Sequence, residues 1–470
     1  MIVTMSPLKQ LIPSDICLSC QVCCRFPSPE SSMFPIFTQE EMKRHSLSGP
    51  PQAVPYHGKS GQPCACPFFN PVTQECAIYP DRPLDCQLYP FVLIYGPTRK
   101  RILLGLDTQC PFVQNSAHEN SLIGYSDYLR DILADPQIVE SIAKTPELVK
   151  PCDETILPLY PLSPLTEKFF HTTLFGPPPP VSLGFSPLTL KDMEFFPRGS
   201  FIPLFVFSDL LHFYWKKEGD ALFVVAEQGN HFFLPIPPIT KKLRAVHLEQ
   251  GFYFLNHMNQ KGSTARIEGL SEEDLSLAKE LGCAIHPKSP DYIYRRKDLA
   301  ELTGNAYKSK RALVNYFTKN YHFTYEPYRA GDRMGCLYLF KAWQDRRAAL
   351  TKEDYELALL EDAASVHRRV LLHTEELGIQ GRVVKIAGEV KGYTFGYPLD
   401  EKTFCVFLEI TDTEVKGLSQ FLFREFCGEL KEFEWMNAMD DSGLESLRRV
   451  KESYRPTLKK ISYAVVKDSP

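Results

Sequence analysis

The chain has 470 residues, of which 44% are hydrophobic and 23% charged, as is ordinary for a globular protein. At roughly 150 residues per domain, this length predicts about three structural units. A net charge of −4 excludes an overall polycation, so DNA is not an expected partner and any other anion must bind a local basic patch. The longest apolar run, PLFVFSDLLHFYW, is too short for a membrane span. With no signal-peptide pattern near Met1, we expect a cytoplasmic protein.

The first predicted element is a cluster of thiols, since nine of the 14 cysteines precede residue 111. The stretch CLSCQVCC, from Cys17 to Cys24, twice separates two thiols by two residues, a spacing typical of metal ligands. An odd count, adjacent Cys23 and Cys24 and a reducing compartment all disfavour a disulfide framework. The alternative is a set of free buried cysteines. His45 and His57 are more ordinary as surface histidines than as ligands.

The second half of this segment, CACPFFNPVTQECAIYPDRPLDCQLYPF, presents its thiols from proline-rich loops, which would fold poorly without a metal. Residues 14–112 resemble the CxxCxxCC family, described as zinc- or iron-chelating domains. The resemblance implies either zinc or an iron–sulfur cluster, acting as a structural centre or a redox sensor. The roles of Cys64 and Cys110 stay open. The ligands implied by the resemblance are Cys17, Cys20, Cys23, Cys24, Cys66, Cys76 and Cys86.

After this segment we predict a helical connector over residues 113–180, closed by four prolines at 177–180 that favour an extended linker. From Val181 onward, strands alternate with helices. The stretch ALFVVAEQGNHFFLPI predicts two strands around a Gly-Asn turn. A long helix is predicted to stop at Gly378.

The pattern after Gly378 predicts three strands, a helix, a strand and a last helix that opens with a capping box at SGLE. This is the element order of a GNAT acyltransferase lobe, although order alone does not fix function. The turn after the third strand contains only Gly417, so a glycine-rich cradle for coenzyme A is not supported.

Residues 185–467 resemble the acyltransferase-like family related to the C-terminal domain of phosphatidylglycerol lysyltransferases. The resemblance is carried by PDYIYRRKDLAELTGNAYKSKRALVNYF and WMNAMDDSGLESLRRVKESYRP. It implies two tandem GNAT-like lobes, similar to the Fem peptidyltransferases. It also implies transfer of an aminoacyl group from a charged tRNA, or of another acyl group, to an amine or hydroxyl such as a lipid head group. We therefore expect an α+β chain with a Cys-rich metal domain (1–112), the connector, and a double GNAT-like domain (181–470).

Glu409 is the candidate general base, because a carboxylate among apolar strand residues has a raised pKa. The alternative is an edge-strand glutamate facing water. Asn437 and Tyr454 are candidates for positioning a substrate carbonyl or hydroxyl, although each is also an ordinary buried polar residue.

The candidate substrate-binding cations lie in two basic segments, one of which places Arg448 and Lys451 on the same face of the last helix. The alternative for both segments is a solvated surface. The four cations are Lys310, Arg311, Arg448 and Lys451.

Several positions depart from the family pattern toward apolar or small residues. They favour a second hypothesis, a non-catalytic metal-dependent binding or redox-sensing protein with a degenerate transferase fold, whereas the retained charged residues favour a transferase. The sequence gives no basis for an oligomeric state. The departures are Ala312, Phe407, Ile410, Ala438 and Met439.

Overall fold

The structure is a computed structural model of the whole chain. The residues that it describes are 8–20, 22–29, 31, 33–56, 62–96, 101–152, 155–170, 179–228, 231–259, 264–351 and 353–467. They divide into two compact units. The N-terminal unit comprises residues 1–174 and 344–368, and the C-terminal unit comprises residues 175–343 and 369–470.

The N-terminal unit begins with very short elements, because prolines and turns interrupt the thiol segment. Its main sheet, of order β8-β6-β7-β9, lies beyond that segment, and β9 pairs with β7. Its elements are α1 (Ser14–Ser19), β1 (Arg25–Phe26), α2 (Gln39–Arg44), β2 (Val54–Pro55), β3 (Cys64–Ala65), β4 (Phe69–Asn70), β5 (Glu75–Cys76), α3 (Leu84–Leu88), β6 (Phe91–Tyr95), β7 (Ile102–Asp107), α4 (Pro111–Gln114), α5 (Glu119–Ile132), α6 (Pro136–Ala143), β8 (Val149–Lys150), β9 (Ile156–Pro161) and α7 (Ser163–Phe170).

The rest of the chain alternates strands and helices, as predicted. The elements are α8 (Pro179–Ser182), β10 (Ser186–Pro187), α9 (Arg198–Val206), β11 (His212–Glu218), β12 (Ala221–Gln228), β13 (His231–Phe233), α10 (Ala245–Met258), β14 (Ala265–Leu270), α11 (Leu275–Glu280), β15 (Ala284–Pro287), β16 (Asp291–Arg295), α12 (Arg296–Glu301), α13 (Lys308–Asn320), β17 (Phe323–Pro327), α14 (Arg333–Leu350), α15 (Asp354–His373), β18 (Gln380–Ile386), β19 (Glu389–Pro398), β20 (Thr403–Thr411), α16 (Leu418–Glu429), β21 (Trp435–Asn437), α17 (Glu445–Glu452), β22 (Leu458–Lys460) and β23 (Tyr463–Lys467).

Two hydrophobic cores lie among the described residues of the C-terminal unit. The first lies between α10 and the sheets β10-β11-β12-β13 and β14-β23-β15, around Phe223 and Leu255. The second packs α12, α13 and α16 on a seven-stranded sheet of order β17-β18-β19-β20-β21-β16-β22, around Phe317 and Phe404. In this sheet β18, β19 and β20 are antiparallel, and β21 returns parallel to β20 after α16. The predicted α+β class and GNAT-like element order are therefore confirmed.

Three local predictions can be compared with the structure. Of the four prolines, Pro177 and Pro178 lie outside the described residues, whereas α8 begins at Pro179, so an extended linker is wrong there. The predicted Gly229–Asn230 turn also lies outside the described residues, although β12 and β13 flank it and pair. The capping box at SGLE is wrong, since α17 begins without a side-chain cap. The proposed division at residues 112 and 180 stays a prediction.

No helix in the described part of the chain is long and apolar enough to cross a membrane.

Candidate functional site

A cavity of about 610 Å³ in the N-terminal unit is lined by seven cysteines. Six belong to the predicted ligand set, and the seventh is Cys110, whose role the sequence left open. Cys66 is not among the lining residues, but it lies close enough to Cys24 and Cys76 to interact electrostatically with both thiols. The fold therefore brings the predicted thiols into one region. The lining cysteines are Cys17, Cys20, Cys23, Cys24, Cys76, Cys86 and Cys110.

Local backbone bonds gather these thiols from separate parts of the chain. At the end of α1, the Cys20 amide donates to the Ile16 carbonyl at 3.1 Å. The Cys66 amide donates to the Cys24 carbonyl at 3.1 Å, which ties the segment after β3 to CLSCQVCC. Cys76 stands in the β4–β5 pair opposite Phe69. Two-residue strands contribute little stability alone. The stability of this region therefore depends on a group that binds several of its thiols together.

Burial and crowding hold most of these thiols in the protonated form. Burial raises the pKa of Cys66 to about 12 and also raises the pKa of Cys76 and Cys86, with neighbouring thiols adding to the effect. Cys24 differs from Cys66, Cys76 and Cys86 in the direction of its pKa shift. A hydrogen bond from Cys23 lowers the pKa of Cys24, and the charges of nearby arginines lower it further. Thiolates crowded in this way are stabilised by a bound cation.

The donor set fits a thiophilic metal, since every predicted ligand is sulfur. Within the described residues, however, no three Cys, His, Asp or Glu side chains converge closely enough to hold an ion. His45 is occupied outside the cavity, where its Nε2 lies 2.9 Å from the Asp81 carbonyl oxygen. His57 lies outside the described residues.

In the C-terminal unit, β20 places Glu409 through a β-bulge. Gly396 of β19 pairs with Val406, but the preceding residue, Phe395, pairs with Leu408, so Phe407 is an extra residue in β20. Because strand side chains alternate between faces, this extra residue turns Glu409 toward the helices that cover Phe404 and Val406. The alternative of a glutamate facing water is wrong, since the Glu409 Oε2 is buried, although β21 pairs with β20 only over residues 403–405.

The Glu409 carboxylate is desolvated and under-bonded. Its Oε1 accepts a hydrogen bond from the Ser419 hydroxyl of α16 at 3.1 Å, whereas its buried Oε2 has no partner among the described residues. Desolvation raises the pKa of Glu409 to about 8, and the Ser419 hydrogen bond only partly opposes this. A carboxylate with this pKa can take up or release a proton near neutral pH.

Tyr454 and Lys310 lie on the same face of the sheet. The Lys310 Nζ is 4.1 Å from the centre of the Tyr454 ring and donates to the Ser453 Oγ at 2.7 Å. Burial lowers the pKa of Lys310. The charge of Glu409 contributes to the raised pKa of Tyr454, behind the larger effect of burial. These side chains therefore form one partly polar region within an apolar core.

Asn437 points to the opposite face, because its neighbour Met436 belongs to the core that α16 covers. Its Nδ2 donates to the Asp291 Oδ2 at 2.8 Å, and its Oδ1 accepts from the Met439 amide at 2.6 Å. Burial raises the pKa of Asp291. Asn437 is thus separated by the sheet from the other two predicted catalytic residues.

The Lys451 ammonium forms its hydrogen bonds with the loop between β21 and α17. Its Nζ donates to the carbonyl oxygens of three consecutive residues, Ala438, Met439 and Asp440. An ammonium has three N–H donors, so these bonds use all of them. Lys451 therefore holds the loop between β21 and α17, and a role in substrate binding stays a prediction.

The two predicted arginines are also bonded within the chain. The Arg448 Nε donates at 3.1 Å to the Asp441 carboxylate, which is buried and also accepts from the Tyr292 hydroxyl at 2.7 Å. Arg311 donates to the carbonyls of Leu302 and Gly304 beyond the end of α12. Sequence reasoning missed Ser419 as the partner of Glu409, because a lone serine in an amphipathic helix carries no recognisable signal.

Gly417 has a packing role. Its φ is +87°, and a Cβ added there would lie 2.2 Å from the Leu313 carbonyl oxygen of α13. This close approach explains why the turn before α16 contains its single glycine, and a bound phosphate is not needed to explain it.

Comparisons with known proteins agree with this architecture. A family model described as "Phosphatidylglycerol lysyltransferase, C-terminal" matches residues 193–465, and one described as "Putative zinc- or iron-chelating domain" (CxxCxxCC) matches residues 16–112. No curated protein matches the chain.

One solved structure is similar enough to share the fold of more than half of this chain. A conserved protein of unknown function from Bacteroides thetaiotaomicron has a TM-score of 0.54 and 22% identity, covering 60% of this chain and 99% of its own. The L-PGS structure from Bacillus licheniformis has a TM-score of 0.41 and 19% identity, covering 56% and 85%. On the family match, the chain belongs to the phosphatidylglycerol lysyltransferase C-terminal family, with a CxxCxxCC domain before it.

Proposed function

We propose that the chain is a metal-binding protein whose C-terminal unit transfers an aminoacyl or other acyl group to an amine or hydroxyl. The observation that carries the proposal is the Glu409 carboxylate, with its unbonded Oε2 and a pKa raised to about 8. An amine or hydroxyl that attacks an acyl carbon must lose a proton. A base with a pKa near the working pH takes that proton most effectively.

In the proposed reaction the acceptor's nitrogen or oxygen forms a bond to the acyl carbon, and its proton passes to Glu409. The bond between the acyl carbon and the donor's oxygen breaks, and the proton held by Glu409 passes to that oxygen, which leaves as a hydroxyl and returns Glu409 to its carboxylate form. Aminoacyl-tRNA is the proposed donor, because the family description names a lysyltransferase. The acceptor includes the phosphatidylglycerol that the same description names.

The metal half of the proposal rests on the thiol-lined cavity and on the sulfur-only donor set. The residues that would hold zinc or an iron–sulfur cluster are the seven cysteines predicted from sequence, and the bound metal would fix loops that short strands alone leave weak. We place the protein in the cytoplasm, where its thiols stay reduced.

One observation favours the non-catalytic alternative. Arg311, Arg448 and Lys451 all donate to groups of the chain itself, so the predicted substrate-binding charges are largely engaged. Under this alternative the C-terminal unit binds a charged tRNA or an acyl donor without transferring the acyl group.

The test uses the full chain with tRNA charged separately with each radiolabelled amino acid, in the presence of vesicles containing phosphatidylglycerol. We expect label in the lipid or in a small amine, and loss of transfer but retained tRNA binding in Glu409→Gln. Binding without transfer by the wild-type protein would support the non-catalytic alternative, and no binding at all would overturn both.

A further inference from the structure

Arg25 is a buried cation without a carboxylate partner. It lies in β1, is only 4% exposed and lines the thiol cavity with Cys20, Cys23 and Cys24. Its Nη1 donates to the Cys20 carbonyl at 3.1 Å and its Nη2 donates to Gln74. Its Nε is buried and has no acceptor, and within the described residues no carboxylate lies within ion-pair distance of the guanidinium.

A guanidinium cannot shed its charge in a protein, so burial without an anion is costly. The Phe69 ring, 4.4 Å from the guanidinium carbon, offsets part of this cost through its π face. Gln74 and the Cys20 carbonyl are neutral acceptors. The arrangement therefore leaves a fixed positive charge in the cavity wall without a matching negative charge.

The carboxylate of Asp85, which also lines the cavity, has a cation of its own. Its Oδ2 lies 3.0 Å from the Lys150 Nζ and 3.0 Å from the Ile36 amide. The Arg82 side chain adds a second guanidinium to the lining. A second carboxylate of the lining, Asp107, accepts from the Gln109 amide at 2.9 Å. The groups next to Arg25 in the chain that can become anionic are the thiols of Cys23 and Cys24.

We propose that Arg25 is the fixed counter-charge of an anionic metal–thiolate centre, one in which the thiolates outnumber the positive charges of the metal. A divalent ion held by four thiolates is such a centre, and so is an iron–sulfur cluster held by four thiolates. The inference rests on the metal binding proposed above. Beyond metal binding, the inference states that the metal centre carries a net negative charge. It also names a residue outside the ligand set, Arg25, that stabilises this centre.

The test measures Zn²⁺ affinity of the full chain, stripped of metal under anaerobic conditions, in competition with a chromophoric chelator. We expect Arg25→Met to weaken Zn²⁺ binding by roughly 10- to 100-fold, as is usual for loss of a group that supports metal ligands. Arg25→Lys keeps the charge and should stay close to wild type. Arg44→Met removes an exposed arginine from α2 and should change nothing.

A second variant covers the case in which Arg25→Met does not fold. Gln74→Glu keeps the shape of the side chain that accepts from Arg25 and gives the guanidinium a carboxylate. We expect this variant to be more resistant to heat without metal, yet to bind Zn²⁺ more weakly, because the added negative charge repels an anionic centre. Tighter Zn²⁺ binding would mean a neutral or cationic centre and would overturn the proposal.

Three other results also count against the proposal. Unchanged affinity in Arg25→Met overturns it while leaving metal binding by the wild type intact. Equal weakening in Arg25→Lys and Arg25→Met, with lower thermal stability of both metal-free variants, means that Arg25 acts by packing alone. Wild-type protein that binds no Zn²⁺ and no iron would overturn the metal half of the proposed function, and this inference with it.

Discussion

The Ser419 hydroxyl donates to the Glu409 Oε1 at 3.1 Å, and the Oε2 of the same carboxylate has no partner in the part of the chain that the structure describes. A buried carboxylate normally accepts several hydrogen bonds, whereas Glu409 accepts one. Burial therefore has the largest effect on the pKa of Glu409.

The first prediction concerns pH and stability. The pKa of Glu409 is raised from 4.5 to about 8, so the folded state holds a proton that the unfolded state releases. Stability should therefore fall as pH rises from about 5 to 8, by about 1.4 kcal/mol for every tenfold difference in proton affinity between the two states. In Glu409→Gln this part of the decline should vanish in urea unfolding at several pH values. The exposed control Glu432→Gln should decline as the wild type does, and an equal decline in Glu409→Gln would refute the raised pKa.

The second prediction concerns the contact between Lys310 and Tyr454. A half-buried ammonium 4.1 Å from a ring centre should give a coupling free energy of about 1 kcal/mol in a double-mutant cycle of Lys310→Met and Tyr454→Leu. The matched cycle with Lys319→Met, an exposed lysine of the same helix, should give no coupling. A Lys310 cycle that is additive would show that the contact contributes nothing to stability.

The third prediction compares two glycines beside and within α16. Gly417→Ala should cost about 1–3 kcal/mol, because a Cβ would collide with the Leu313 carbonyl and φ is +87°. Gly428→Ala should instead stabilise the protein by roughly 0.5–1 kcal/mol, since it lies in the helix and a Cβ there meets nothing within 4 Å. Both values follow from chemical denaturation, and similar effects of the two substitutions would contradict the packing role of Gly417.

The fourth prediction separates the thiols that line the cavity from those that do not. The Cys24 thiol lies close enough to Cys17, Cys66, Cys76 and Cys86 to interact with each of them electrostatically. Cys24→Ser should therefore greatly reduce the metal that copurifies with the chain. Cys64→Ser should leave metal content near the wild-type value. Metal analysis and titration of free thiols on the same samples provide the measurement, and equal loss in both variants would mean that the cavity does not define the ligand set.

Much of the fold follows from local pattern. Apolar residues at helical spacing and alternating strands between turn residues predict β12, β13, α13, α15 and the series from β18 to α17. The thiol cluster is also visible in the sequence, because cysteines spaced by two residues have few other uses.

The arrangement of the candidate transferase residues could not be predicted from local sequence pattern. Glu409 and Asn437 lie on opposite faces of the sheet because β20 contains an extra residue, and a bulge has no signature in a strand of mixed apolar residues. The engagement of Lys451 with three carbonyls likewise depends on a loop with unusual backbone, in which Met439 has a φ of +60°. Contacts that depend on such loops are set by tertiary structure.

The extra residue in β20 also determines which changes in this strand would move Glu409 to the other face of the sheet. Removing Phe407 alone would take out the bulge and leave Glu409 two places after Val406, still on the face that the helices cover. Strict alternation of all the residues, without a bulge, would instead present Glu409 on the side of the sheet where Asn437 and Asp291 lie. The bulge between Val406 and Glu409 therefore matters as much as the identity of the residues there. In any variant of this strand, loss of the bulge at unchanged length would displace the acid more thoroughly than many substitutions of its neighbours.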